Sequence, residues 1–271
     1  MSKPPSPPAN QLGHPLPVAT ALEDCRAWAE AASATALGFF RTGTDVDFKE
    51  DLSPVTLADR SVELELKLAI SEKYPTHGIF GEETGIKGDT GEDLWVLDPI
   101  DGTRSFISGH PLFGMLLAYL HKGELLAGCI NMPALKEVYC GGKGVPATLN
   151  GTPIQSSTKR SLDEAILYIN EGEKLFSDHP QLFSKLMVAG QTRRFGYDCY
   201  PHALLASGQV DAVIDYDLKP YDFLAVSAVV EAAGGIVTDW QGAPLTLASE
   251  GAIISAATPE LHQELLGCIQ P

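Results

Sequence analysis

A layered α/β (α+β) protein is what the sequence predicts, and three patterns carry the prediction. Apolar residues recur at three- and four-residue steps in two N-terminal stretches, short apolar runs separated by turn signals fill the centre, and strand-like and helix-like segments alternate through the C-terminal half. With 271 residues, 44% of them hydrophobic and 20% charged, the chain can bury a sizeable core and has an ordinary globular composition. It carries no internal repeat and no clear linker. The expected organisation is a flexible Pro-rich tail over 1–17 and a single unit over 18–271, with an α+β half over about 18–160 and an α/β half over about 161–271.

From Val18, the apolar set Leu22, Cys25, Trp28, Ala29 and Ala32 predicts a helix reaching about Phe40. Residues 44–51 read as a short strand or hairpin. Ala58, Val62, Leu66 and Ile70, four apart, define one face of a second helix, which Ser53 or Thr56 can cap and which holds Asp59 in its first turn. Ile79 and Phe80 form a short strand end running into Gly81-Glu82-Glu83, and the stretch from there to Asp93 reads as a solvated loop. A buried strand over 94–97 then stops at Asp98.

Three strand-like runs, 114–120, 125–131 and 137–141, are parted by His121-Lys122-Gly123 and Pro133-Ala134 and predict an antiparallel meander. Asn150-Gly151 predicts a hairpin within 147–155. Beyond it come a strand at 165–170, a helix at 181–189, a short helix at 201–207 stopped by Gly208, and a strand at 212–216. The run PYDFLAVSAVVEAAGG predicts a helix with Asp222 in its first turn and Gly234-Gly235 as its stop. Strands at 236–240 and 252–256 and a helix at 259–269 close the chain.

The chain has 35 acidic and 19 basic residues, a formal net charge of −16. That balance disfavours nucleic acid and anionic membrane as partners, since both select basic faces, and it suits metal cations or a cationic substrate as well as plain solubility. The five cysteines are scattered, odd in number and without a Cys-x-x-Cys spacing. They read as reduced core thiols of a cytoplasmic protein. No apolar run approaches the roughly twenty residues of a membrane helix, and the first residues lack the charged-then-apolar order of a signal peptide.

The chemistry concentrates where strand apolarity runs into charge. Asp98-Pro99-Ile100-Asp101-Gly102-Thr103 delivers two carboxylates and several backbone N–H groups to one small volume. Carboxylates are the hard oxygen ligands Mg²⁺ uses, and a Gly-Thr turn opening a helical segment can aim N–H groups at an anion. A solvated Asp-Pro turn has the same letters, an acid at a helix start such as Asp59 is stabilising by itself, and an exposed Glu pair such as Glu82-Glu83 is commonly just solvated.

Gly81-Glu82-Glu83, then Asp98 to Thr103 with Phe106, then Tyr221-Asp222 with Gly234-Gly235 downstream, resemble in order and spacing the inositol monophosphatase superfamily of Mg²⁺-dependent phosphatases, over roughly residues 18–268. The resemblance implies a layered α-β-α-β-α sandwich, assembly as a homodimer, and two to three Mg²⁺ (or Mn²⁺) ions. By the same resemblance Glu82, Asp98 and the Ile100 backbone carbonyl hold one metal, Asp98, Asp101 and Asp222 a second, and Glu82 assists a third. Thr103 and Asp59, with Glu82, form the catalytic set, Thr103 and Asp59 orienting the attacking water; the N–H groups of Gly102 and Thr103 bind phosphate, and Lys49 and Glu83 are supporting residues or ordinary surface ones.

Within the family, Ser53-Pro54-Val55-Thr56, Thr103 to Gly109, Gly196-Tyr197-Asp198-Cys199-Tyr200 and Leu218-Lys219-Pro220-Tyr221-Asp222 look more like the histidinol-phosphate phosphatase branch. Inositol-specific relatives more often show Asn where Arg104 and Ser105 stand and Trp in place of Tyr221. Histidinol phosphate carries an amine and an imidazole, so it needs acidic partners, for which Asp198 and Asp215 are the candidates. Asp198 could instead cap the helix starting near Pro201, and Arg104 could reach substrate, a neighbouring subunit or a surface ion pair. An inositol monophosphatase or a broader sugar- or nucleotide-phosphate phosphatase is the alternative.

Overall fold

The computed structural model describes residues 14–43, 46–48 and 54–269. Most of the 1–17 segment, and Lys49, lie outside the described residues. Helix α1 (Val18–Phe39) leads to a small antiparallel pair, β1 (Val46–Phe48) with β2 (Pro54–Thr56), and on to α2 (Leu57–Lys73). An eight-stranded sheet follows from β3 (Gly78–Gly81), β4 (Gly85–Lys87), β5 (Asp93–Asp101), β6 (Gly114–His121), β7 (Glu124–Met132), β8 (Glu137–Gly142), β9 (Val145–Leu149) and β10 (Thr152–Pro153), in the order β10-β9-β8-β7-β6-β5-β3-β4. Helix α3 (Thr103–Ile107) is inserted between β5 and β6.

The C-terminal half comprises β11 (Ile166–Ile169), α4 (Gly172–Asp178), α5 (Pro180–Leu186), β12 (Thr192–Phe195), α6 (Tyr200–Ala206), β13 (Ala212–Asp215), α7 (Pro220–Ala232), β14 (Ile236–Asp239), β15 (Ile253–Ala256) and α8 (Pro259–Ile269). Its five strands order as β12-β11-β13-β15-β14, with β11 parallel to both neighbours and the β15 pairings antiparallel.

Period-two alternation explains the layering, because both faces of the large sheet are apolar. Trp95, Leu97, Met115, Leu117, Tyr119 and Cys129 point to a core shared with α1 and α2, while Leu94, Val96, Leu116, Ala118, Leu120 and Ile130 point to a second core shared with α6 and α7. Helix α7 is buried continuously from Phe223 to Val230, as expected for a helix sandwiched between two sheets. It approaches β7 closely because Gly128 has no side chain, and a Cβ there would lie 2.4 Å from the Ala225 carbonyl oxygen. The outer face of the five-stranded sheet packs Leu167, Ile169, Ile214 and Ile254 against Leu175, Leu182, Leu186, Leu261 and Leu265 of α4, α5 and α8. The middle core also takes in Val213, Val237 and Ile253 from the inner face of the five-stranded sheet, so three cores fill the four interfaces of an α-β-α-β-α sandwich.

Several expectations need correction. The stretch read as a solvated loop contains β4, an edge strand paired antiparallel to β3, whose Ile86 is exposed and leaves no alternating pattern to read. Strand β12 (TRRF) and helix α4 carry too little apolar periodicity to stand out; β12 is an edge strand and α4 only seven residues long. Strand β5 does not stop at Asp98 but continues to Asp101 through a register shift, Asp98 opposite Leu116 and Asp101 opposite Gly114. One extra residue on β5 between Asp98 and Asp101 makes a bulge, and Pro99 within that stretch has no N–H to give to a ladder.

Candidate active site

The β5 bulge re-aims the end of the strand, and the consequence is an acidic cluster. Carboxylate oxygens of Asp98, Asp101 and Asp222 lie within 4.8 Å of one another. Asp98 and Asp101 come from the bulge itself, and Asp222 from the first turn of α7, where its Oδ2 accepts the Lys219 N–H at 2.6 Å. Parallel pairing of β3 with β5 sets Gly81 opposite Leu97, and the Glu82 N–H donates to the Leu97 carbonyl at 3.1 Å, so Glu82 follows directly beside Asp98. The Ile100 N–H donates to Asp98 Oδ1 at 3.0 Å, which pins that carboxylate inside the turn.

Electrostatics show what this cluster wants. Burial, then the charges of Glu82, Asp101 and Asp222, push the Asp98 carboxyl well above its ordinary range. Burial and the neighbouring Asp198 and Asp222 do the same to Asp101, and burial with Glu82 pushes Asp222 up to about 7. Carboxylates this close cannot all ionise without a compensating positive charge. A cluster of hard carboxylate oxygens, Asp98 buried and Asp101 and Asp222 half-buried, fits a hard divalent cation, and these three, with Glu82 beside them, are the side chains that would hold it.

Beside the acids, α2 supplies two anchoring carboxylates. Thr56 caps the helix, its Oγ1 accepting from the Ala58 N–H at 3.1 Å, while Asp59 Oδ2 accepts the Thr56 N–H at 2.8 Å. The other Asp59 oxygen, Oδ1, faces Thr103 Oγ1 at 3.0 Å, and the Ile100 carbonyl lies 3.2 Å from the same hydroxyl. One turn along α2, the fully buried Glu63 accepts from the Glu83 N–H at 2.7 Å, the Thr84 N–H at 3.1 Å and the Thr84 hydroxyl, with Lys67 at 3.5 Å as counter-ion. Gly81 packs on it, where a Cβ would come 2.5 Å from the Glu63 carboxyl carbon. Glu63 therefore holds the segment that carries Glu82, and the sequence reading missed it because an acid on a helix reads as a solvated face.

The predicted substrate residues separate. Asp198 sits against Gly102, where a Cβ would lie 2.4 Å from the Asp198 carboxyl carbon; Gly102 also needs its φ of +86° to turn the chain from β5 into α3. Asp198 Oδ2 accepts from Ser105 Oγ at 2.6 Å, and the next N–H, of Cys199, donates to Asp101 Oδ2 at 2.5 Å. Burial, opposed by the Ser105 hydroxyl, pushes Asp198 up to about 6. It does not cap α6, whose N-cap is Cys199 with no side-chain hydrogen bond. Asp215 is turned inward: it is 2% exposed, and it accepts from Asn170 Nδ2 at 2.6 Å, His202 Nε2 at 3.0 Å and the Tyr216 N–H at 2.9 Å. Arg104 is exposed at the rim, with its charge felt by both Asp198 and Glu171. Glu171, at the start of α4 and near Asp215, is a further rim acid that sequence reasoning did not single out. The structure thus brings Asp59, Glu82, Asp98, Ile100, Asp101, Gly102, Thr103, Asp198 and Asp222 to one end of the large sheet and leaves Asp215 behind them.

Comparison with known proteins places this geometry. A sequence profile described as the inositol monophosphatase family matches residues 19–270. The chain is 39% identical over 253 residues to a protein of Arabidopsis thaliana named bifunctional phosphatase IMPL2, chloroplastic, covering 90% of this chain and 73% of that one. It is 39% identical over 246 residues to a histidinol-phosphatase of Chlorobaculum parvum, covering 89% and 93% of the two chains. Among solved structures, an inositol monophosphatase from Zymomonas mobilis superposes with a TM-score of 0.84 at 36% identity, over 93% of this chain and 98% of that one.

Proposed function

Because this chain belongs to the inositol monophosphatase family and is a phosphatase, we propose that it is a Mg²⁺-dependent phosphomonoester hydrolase of the cytoplasm whose substrate is histidinol phosphate, released as histidinol in histidine biosynthesis. The observation that carries the substrate assignment is Asp198, a half-buried carboxylate lying against the Gly102 turn, where an ammonium or imidazolium of a bound ester would meet it. The 39% identity to a histidinol-phosphatase over 93% of that protein supports the same reading.

Glu82, Asp98, Asp101, Asp222 and the Ile100 carbonyl would hold two to three Mg²⁺ ions, with Mn²⁺ as a substitute. Such ions, when bound, lower the pKa of a water and neutralise charge on the phosphoryl group. The chain's own groups do the rest. Thr103 has one hydroxyl proton and two acceptors in reach, Asp59 Oδ1 and the Ile100 carbonyl. With the carbonyl engaged elsewhere, that proton goes to Asp59, and the Thr103 oxygen is left to take a hydrogen bond from the attacking water. The N–H groups of Gly102 and Thr103, at the opening of α3, take phosphate oxygens, and Asp198 orients the far end of the ester. Assembly as a homodimer is part of the proposal.

Asp198→Asn tests the assignment. KM for histidinol phosphate rises about tenfold or more, the equivalent of one charge-assisted hydrogen bond, while rates on inositol 1-phosphate stay within a few-fold. An equal loss on both esters contradicts it. An inositol monophosphatase, or a broader sugar- or nucleotide-phosphate phosphatase, is the second reading, favoured by the likeness to the Zymomonas mobilis structure.

A further inference from the structure

Asp198 and Asp215 lie on different elements, and one side chain joins them. Asn170, at the end of β11 and 2% exposed, donates both protons of its amide, to Asp215 Oδ2 at 2.6 Å and to the Asp198 backbone carbonyl at 3.0 Å. The amide orientation is dictated, because both partners are acceptors and the opposite flip would set Oδ1 against them. Oδ1 accordingly has no hydrogen-bond partner among the described residues and lies against Gly196, where a Cβ would come 2.3 Å from it.

The same Asp215 oxygen, Oδ2, meets His202 Nε2 at 3.0 Å, and His202 Nδ1 meets Ser255 Oγ at 2.9 Å. An ionised carboxylate only accepts, so Nε2 carries the proton toward Asp215. The chain Ser255, His202, Asp215, Asn170 therefore runs from the interior of the five-stranded sheet to the Asp198 carbonyl. From there the path divides, the Asp198 carboxylate going to Ser105 on α3 and the Cys199 N–H to Asp101. Asp198 has a φ of +53°, a left-handed conformation that needs such support.

We propose that Asn170 is a positioning residue for substrate selection: anchored by the inward Asp215–His202 pair, it holds the 196–199 segment so that the Asp198 carboxylate faces the cationic end of the substrate. Asp215 acts as its buried anchor and does not itself touch substrate. The inference rests on Asp198 being the substrate acid.

A double-mutant cycle on Asn170→Ala and Asp198→Ala, read as KM for histidinol phosphate with kcat recorded separately, tests it. Asn170→Ala raises KM about tenfold, kcat changes less than threefold, and the double variant is no worse than Asp198→Ala alone, since both act through one carboxylate. Asn170→Ser, which retains a shorter hydroxyl, is run through the same cycle if thermal unfolding shows the alanine variant to be misfolded. Additive losses, or an equal fall in kcat on charged and uncharged esters, overturn the proposal. The wild-type ester preference is measured first and decides the substrate reading by itself; the cycle is read on histidinol phosphate in either case, so additive losses with the preference intact overturn this inference alone.

Discussion

Asp59 Oδ1 and Thr103 Oγ1 stand 3.0 Å apart although 44 residues separate them in the chain. The contact ties the first turn of α2 to the Gly102-Thr103 turn after β5 and gives the Thr103 hydroxyl proton a fixed acceptor. Thr103→Val removes the hydroxyl with little change of shape, and kcat falls about 10²- to 10³-fold with KM little altered. Thr103→Ser keeps most of the rate. Steady-state kinetics on the preferred ester check both.

Asp98 is shared by the two sets of predicted ligands, so Asp98→Asn removes Mg²⁺-dependent turnover by orders of magnitude. Chelation of divalent ions from the wild type gives the same loss. Phosphate release in the presence and absence of chelator reads both; a variant with near-normal turnover would sink the ligand assignment.

The cluster also predicts a pH-dependent stability. The Asp222 carboxyl is pushed up to about 7 in the fold, and its unfolded value is about 4, so between those limits the folded chain without metal binds more protons than the unfolded one. Stability contributed by its protonation is complete below pH about 4 and is lost as pH rises through about 7. Asp98 and Asp101 are raised in the same direction and reinforce the trend. Thermal unfolding at pH 5 and pH 8, with and without Mg²⁺, checks it: the metal-free midpoint falls toward pH 8, and the midpoint gain from Mg²⁺ is larger at pH 8.

Glu63 is buried, and three donors of the 83–84 segment depend on it. Glu63→Ala leaves two backbone N–H groups without their acceptor and destabilises the fold by about 2–4 kcal/mol. It also raises the Mg²⁺ concentration needed for half-maximal activity, because Glu82 loses its support. Chemical unfolding and a Mg²⁺ titration of the rate separate the two effects.

Gly128→Ala sets a methyl 2.4 Å from the Ala225 carbonyl oxygen and pushes α7 away from β7. Overpacking of this kind costs about 1–3 kcal/mol, visible as a lower unfolding midpoint. Since α7 carries Asp222 one turn before Ala225, Mg²⁺ affinity should weaken with it.

What could be read from the letters divides along physical lines. Long elements with strong periodicity, α1, α2, β5 to β8 and α7, were readable because their burial is set by their own residues. The Asp98 to Thr103 turn stood out because an apolar run stops there at charge, but the letters alone left it open to an ordinary Asp-Pro turn, and the proposed ligand set of Glu82, Asp98, Asp101 and Asp222 came from the order and spacing of the motifs. Edge strands β4 and β12 were not, since pairing on one side asks little of the side chains. Asp215 was a candidate by resemblance, since it lies seven residues before Asp222 where relatives place a substrate-binding acid; only the tertiary placement of His202 and Asn170 turns it inward. Glu63 and Asn170 were invisible for the same reason, their partners being 20 and 45 residues away.

Turnover of histidinol phosphate and of inositol 1-phosphate by the wild-type chain, at equal concentrations in Mg²⁺, tests the central claim most directly. The predicted result is a kcat/KM at least about tenfold higher for histidinol phosphate, the equivalent of one charge-assisted hydrogen bond, and abolished by chelator. A preference for inositol 1-phosphate, or hydrolysis that survives removal of divalent ions, would contradict it.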